Sequence, residues 1–147
     1  MWDPVSFIRR FYELHRIRFT KFLIAGIGGF LVSELIIILG LWIFGIRMTI
    51  PVIVVAGILS ITFGFAVNEK WSMADSPVVR TLFPTMVRLG KFQLVYLLGN
   101  IVSWATMLIL LRFFSLSPAY GNIPGSIVAV PVNYLVSAKL VWKLKLT

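Results

Sequence analysis

Long apolar stretches dominate the hydrophobic pattern of this chain. Four of them are long enough to cross a bilayer: Phe22 to Phe44, Ile50 to Val67, Phe92 to Leu111 and roughly Ile123 to Leu140. A transmembrane helix needs about 20 apolar residues, and about 17 to 25 are accepted. Pro51 and Pro124 stand where helices often begin. The pattern therefore predicts an all-α membrane protein with four transmembrane helices.

Residue types recur within these stretches at a nearly constant offset. Gly29 and Ser33 have the same residue types 70 positions later, and Lys70 has a lysine 69 positions later. An even number of spans separates the copies, so both hairpins should point the same way. The sequence thus predicts two tandem hairpin repeats, about 21–73 and 91–143, within a transmembrane domain of residues 21–147.

The net charge of +9 would suit a nucleic-acid partner, but the distribution of the 14 Lys and Arg residues argues against one. All except Arg47 and Arg112 flank the predicted spans on the side that holds both termini. The positive-inside rule assigns that side to the cytoplasm. We therefore expect a multi-pass protein of the cell (plasma) membrane with cytoplasmic N- and C-termini.

Two short segments on the cytoplasmic side have an amphipathic pattern. In residues 1–20, Phe7, Phe11 and Leu14 alternate with basic residues, which predicts an interfacial helix. A second segment, Ser76 to Leu89, has a similar pattern that Pro84 interrupts. The chain contains no cysteine and no recognisable catalytic constellation, so the sequence predicts no cofactor, no metal site and no enzymatic activity.

Small and polar residues follow one face of the second and fourth spans, four positions apart. The two stripes are Ala56, Ser60, Gly64 and Asn68, and Gly125, Ala129, Asn133 and Ser137. Such stripes often mark the faces on which membrane helices pack. The polar members Asn68, Asn133 and Ser137 could instead face a substrate, and the pattern leaves both interpretations open.

Charged residues inside or beside the spans are further candidates. Lys70 and Lys139 could extend to the headgroups or, as a repeated pair, hold a phosphate. Glu34 lies near the bilayer midplane, where a carboxylate costs about 3 kcal/mol or more. We expect it to face the bundle, either in a functional role or as a protonated carboxyl hydrogen-bonded across helices, for example to Asn100.

Three short motifs resemble those of the GtrA-like proteins. Lys21 to Gly26 is similar to the opening of the family's first helix, and Phe65 to Met73 to the ending of its second. Asn133 to Lys139, with Trp142 following, is similar to the ending of the fourth helix. The resemblance extends from about Arg18 to Lys143.

The resemblance implies a role in building cell-surface polysaccharides or glycoproteins. Members of the family are thought to flip polyprenyl-phosphate-linked sugars across the membrane, or to accompany the glycosyltransferase that makes them. For the first activity, the residues predicted to hold the phosphate are Lys70, Lys139 and Arg18 or Lys21. The residues predicted to contact the sugar are Glu34, Asn68, Asn100, Asn133 and Ser137.

Two alternatives to a flippase remain at this point. The chain could be a non-transporting membrane partner or anchor of a glycosyltransferase, docked through its amphipathic segments. It could also be a small proton-coupled multidrug-type exporter, with Glu34 as the coupling residue. Because four thin helices rarely enclose a path for a sugar headgroup, we also expect a homo-oligomer.

Overall fold

The structure is a computed structural model that describes the backbone of residues 4–114 and 118–144. It describes the side chains of residue 13 and of residues 15–102, 105–106, 108–110, 112–113 and 127–144. Within these ranges every regular element is a helix and there is no strand, which confirms the all-α prediction. The four long helices are α1 (Pro4–Phe44), α2 (Thr49–Val67), α3 (Leu82–Phe114) and α4 (Pro118–Leu140).

The chain divides into two compact units. The first ends at Ser76 and contains α1 and α2, and the second, Pro77–Leu144, contains α3 and α4. We call them the first hairpin and the second hairpin. In each, the two helices pack against each other.

A tight turn connects the two helices of the first hairpin. α1 ends at Phe44, and the next residue, Gly45, has a φ of 76°, a conformation that residues with a Cβ rarely adopt. The 3₁₀ turn Ile46–Met48 then leads directly into α2. Next to this turn the helices approach closely, because a Cβ on Gly40 would lie 2.7 Å from Cγ1 of Val52. Glycine is therefore required at position 45 by the backbone conformation and at position 40 by the close packing of the two helices.

Aromatic side chains form the core of the second hairpin. Phe92 on α3 contacts Trp142 edge to face, with ring centroids 5.4 Å apart, and its own neighbour Tyr96 at 4.7 Å. Tyr134 and Ala138 of α4 are also buried. Each well-placed aromatic pair adds about 0.5–1.5 kcal/mol beyond the burial of its surface. This cluster secures the end of α4 against α3.

Large apolar side chains are exposed along the first hairpin. Examples are Phe30 and Leu35 on α1 and Ile53 on α2. Among the described residues two helical stretches are long and apolar enough to cross a membrane, His15–Phe44 and Ile46–Ser72, and Ile127–Leu140 is a shorter apolar helix. A continuous exposed apolar surface is unusual for a water-soluble monomer, whereas lipid covers it favourably. The predicted third span lies in α3, where side chains 103, 104, 107 and 111 are outside the described set.

The helix boundaries differ from the sequence prediction at three places. α1 continues without a break through residues 20 and 21, where an interfacial segment was expected to end. α3 begins at Leu82 and includes Pro84 in its first turn, where the missing N–H of proline leaves no helical bond unmade. α4 begins at Pro118 rather than near Pro124. Prolines inside membrane helices are tolerated because neighbouring groups satisfy the freed carbonyl.

Candidate functional site

The polar members of the small-residue stripes are buried. Asn68, Asn133 and Ser137 are all at most 8% exposed. Nδ2 of Asn68 donates to the carbonyl of Gly64 at 2.8 Å. Oδ1 of Asn68, Oδ1 of Asn133 and Oγ of Ser137 have no hydrogen-bond partner among the described residues. A buried polar atom without a partner costs about 1–3 kcal/mol, so a hydroxyl or water brought to these atoms would be stabilised.

Asn133 packs directly on the backbone of α3. A Cβ on Gly99 would lie 2.6 Å from Cγ of Asn133 and closer still to its amide oxygen. The matching glycine of the first hairpin, Gly29, instead faces the backbone carbonyl of Ser60, 3.0 Å from where its Cβ would be. The two hairpins therefore offer different polar groups at the same position of the repeat.

The second helix of each hairpin ends in a wide turn. In the first hairpin a π-helical segment, Asn68–Ser72, follows α2, and the N–H of Met73 donates to the carbonyl of Asn68 at 2.8 Å. In the second hairpin the N–H of Trp142 donates to the carbonyl of Ser137 at 3.2 Å, which is the same five-residue spacing. Met73 and Trp142 are both fully buried. The wide turn rotates each of these side chains into its hairpin core and leaves Asn68 or Ser137 at the start of the turn.

A cavity of about 390 Å³ lies at the end of the second hairpin. Three of the residues that line it are basic, and the others are apolar. The basic ones are Arg88 and Lys91 on α3 and Lys143 after α4. No acidic residue lines this cavity in the described part of the chain. It therefore combines a cationic part with an apolar part.

Hydrogen bonds hold the guanidinium of Arg88 in one orientation. Its Nη1 donates to the carbonyl of Val79 at 2.5 Å, and its Nη2 donates to Oγ1 of Thr85 at 3.1 Å. Arg88 is buried, being 6% exposed. Both of these acceptors are uncharged, and together they fix the plane of the guanidinium. A buried cation is stable only with compensating interactions.

The corresponding end of the first hairpin has a different electrostatic arrangement. Arg18 forms an ion pair with Asp75, and Oγ of Ser72 donates to the carbonyl of Arg18 at 2.9 Å. The hydrogen bond from Arg18 lowers the pKa of the Asp75 carboxyl. Lys21 lies over the ring of Trp71, 5.5 Å from its centroid. Arg18 and Lys21, which the sequence predicts to bind a phosphate, thus already have partners within their own hairpin.

The remaining predicted site residues lie on exposed surfaces. Lys70 and Lys139 are exposed at the ends of their helices, and Lys139 does not line the cavity. Asn100 is exposed on α3 beside Gly99. Glu34 is exposed on α1 rather than packed in a helix interface, and it forms no ion pair with a described side chain. A substrate-binding role for these residues stays a prediction.

Sequence reasoning did not select Arg88, Lys91 or Lys143. The repeat contains the signal for the first two, because they follow Arg18 and Lys21 by 70 residues. No such signal exists for Lys143, because its position depends on a left-handed backbone conformation (φ 53°) that the sequence does not predict. Only the folded turn brings it to the cavity.

Two helical hairpins with exposed apolar surfaces define a small helical membrane protein. The chain belongs to the GtrA/DPMS transmembrane-domain family, whose pattern it matches over residues 21–142. This result confirms the resemblance found in the motifs. The family is generally made of non-catalytic membrane proteins and is associated with the handling of lipid-linked sugars. A comparison with curated proteins finds no match.

Proposed function

We propose that this protein moves a polyprenyl-phosphate-linked sugar from the cytoplasmic to the outer leaflet of the plasma membrane, for the synthesis of cell-surface polysaccharides or glycoproteins. The observation that carries this proposal is the family match, which extends over both hairpins. The sugar headgroup would pass along the polar helix faces, and the polyprenyl chain would remain in the lipid.

The proposal includes four membrane spans with both termini in the cytoplasm. α3 has 33 residues, and at 1.5 Å per residue it is about 50 Å long, more than the hydrocarbon thickness of about 30 Å. α4, with 23 residues, is about 35 Å long. The concentration of basic residues at one end of the helices supports the orientation.

The buried oxygens of α4 support the passage of a polyhydroxylated group. Asn133 and Ser137 are one helical turn apart, so their side chains lie on the same face of α4. The amide oxygen of Asn133 accepts hydrogen bonds, and the hydroxyl of Ser137 both donates and accepts them. Sugar hydroxyls offer the complementary groups, and each bond would offset the cost of a buried atom that has no partner.

A reconstituted flipping assay tests this function. The purified protein is placed in liposomes with a labelled polyprenyl-phosphate sugar, and the fraction of label in the outer leaflet is followed with time. We expect wild-type protein to equilibrate the leaflets and Ser137→Ala to slow the process. Ser60→Ala is the matched control, because the Ser60 hydroxyl already donates to the carbonyl of Gly57 at 3.0 Å in its own helix.

Wild-type protein that leaves the label in one leaflet would refute translocation. If a membrane-associated glycosyltransferase nevertheless co-purified, the protein would be better described as a partner or anchor of that enzyme. A homo-oligomer remains part of the proposal and is measured on the same preparation by mass spectrometry in detergent.

A further inference from the structure

We propose that the cavity of the second hairpin binds the phosphate of a membrane lipid, with Arg88, Lys91 and Lys143 supplying the positive charge. The inference rests on the proposed function only in the choice of a polyprenyl phosphate as the main ligand. Binding at this cavity does not require the protein to translocate the lipid.

The charge of the cavity indicates an anion. Three basic side chains line a volume of about 390 Å³, and none of the described residues that line it is acidic. Two of them, Arg88 and Lys91, are almost one helical turn apart on α3 and so lie on one face. A phosphate accepts charge-assisted hydrogen bonds from both guanidinium and ammonium groups.

Arg88 is prepared for such a ligand by its surroundings. It is 6% exposed, and the carbonyl of Val79 and the hydroxyl of Thr85 fix its orientation. A phosphate in the cavity would accept charge-assisted hydrogen bonds from a guanidinium that is already oriented. The first turn of α3 also borders the cavity through Phe83 and Pro84. The positive end of a helix dipole favours an anion at this position.

The apolar part of the cavity indicates that the phosphate belongs to a lipid. Val79, Phe83 and Val141 are among the apolar residues that share its wall with the three cations. Free phosphate is hydrophilic on all sides and gains nothing from such a wall, whereas the first carbons of a lipid chain would bury apolar surface there. The volume is in the range of small-ligand sites, about 300–1,000 Å³.

The first hairpin provides an internal comparison. Arg18 and Lys21 occupy the positions 70 residues before Arg88 and Lys91, but Asp75 already forms an ion pair with Arg18. The repeat therefore has cations at the same positions in both hairpins, and in the second hairpin they line the cavity. On this basis we assign the phosphate site to the second hairpin.

The test uses the full chain, purified in detergent, and measures bound lipid by native mass spectrometry. The probes are a polyprenyl phosphate, phosphatidylglycerol and phosphatidylcholine, with inorganic phosphate as a competitor. The main variant is Lys91→Gln with Lys143→Gly. Glycine at 143 removes a cation and at the same time relieves the left-handed backbone, so this change should not lower the unfolding temperature. Arg112→Gln, an exposed cation at the opposite end of α3, is the control.

We expect wild-type protein and Arg112→Gln to retain the polyprenyl phosphate. The affinity of the double variant for this lipid should be lower by a factor of about ten or more. Preferential retention of phosphatidylglycerol would place an ordinary anionic lipid in the same phosphate site. Three results would overturn the proposal. They are unchanged binding of the polyprenyl phosphate in the double variant, its displacement from wild type by an equal concentration of inorganic phosphate, and no binding of it by wild type. The flipping assay is scored separately. If binding depends on the cations but no translocation occurs, the proposed function is refuted and the phosphate site is supported. If translocation occurs and the double variant binds the lipid as well as wild type does, the phosphate site is refuted and the proposed function is supported.

Discussion

Replacing Gly99 by alanine tests the packing of Asn133 against α3. The new Cβ would lie 2.5 Å from Nδ2 and 2.6 Å from Cγ of Asn133, well inside van der Waals contact. Because Cγ is affected as well as the amide, a rotation of the amide alone does not remove the overlap. Asn133 is only 8% exposed, so its side chain must move within a packed interface. Overpacking of this kind costs about 1–3 kcal/mol.

The matched control for this substitution is Gly90→Ala on the same helix. No atom lies within 4 Å of the position that its Cβ would occupy. Alanine is better than glycine in a helix by about 0.8–1.0 kcal/mol, so this variant should be slightly more stable than wild type. The two substitutions have the same chemistry and should change stability in opposite directions.

The assay is thermal or denaturant-induced unfolding in detergent micelles, followed by tryptophan fluorescence. A double variant, Gly99→Ala with Asn133→Ala, completes a cycle, because removal of the amide should relieve most of the clash. We expect the double variant to be nearly as stable as Asn133→Ala alone. If Gly99→Ala is as stable as Gly90→Ala, or if removing Asn133 restores nothing, the packing described here is wrong.

Three further outcomes are expected. Gly45→Ala should lower stability by about 1–2 kcal/mol in the same unfolding assay, because alanine is strained at a φ of 76°; a neutral effect would exclude this turn geometry. Trp142→Ala should cost about 3–5 kcal/mol, since it removes a fully buried ring in contact with Phe92; equal unfolding temperatures would contradict that contact. Asp75→Asn should destabilise the protein slightly near pH 7, by at most about 1 kcal/mol because the carboxylate of Asp75 is largely exposed. Since the pKa of Asp75 is lowered in the folded state, wild type should lose this advantage as the pH falls below about 4 towards the folded pKa, and a difference that persists in acid would refute the assignment.

The helical class and the family were predictable because both depend on long apolar stretches and local motifs. Apolar residues in runs of this length have few structural alternatives, and the endings around Asn68 and Asn133 are contiguous in sequence. Burial of Phe22 and Phe92, which are 70 residues apart, follows the same repeat.

Features that depend on backbone detail or on tertiary contacts were not predictable. The sequence predicts that Pro84 interrupts a short segment and that a helix begins near Pro124, whereas Pro84 lies in the first turn of α3 and α4 begins at Pro118. The cationic cavity depends on a left-handed residue at Lys143 and on a bend that returns Val79 to Arg88. Periodicity reports which face of a helix is apolar, but it does not report how the chain turns between helices.

The uninterrupted length of α1 has a mechanical consequence. At 1.5 Å per residue its 41 residues extend about 60 Å, roughly twice the hydrocarbon thickness. A helix without a hinge acts as a rigid lever, so a torque applied near Pro4 would be transmitted to the packed part of the first hairpin. Inserting one residue into the part of α1 outside the membrane would turn any attached domain by about 100° about the helix axis. A protein fused at this end would therefore have an angular position that the number of linking residues determines.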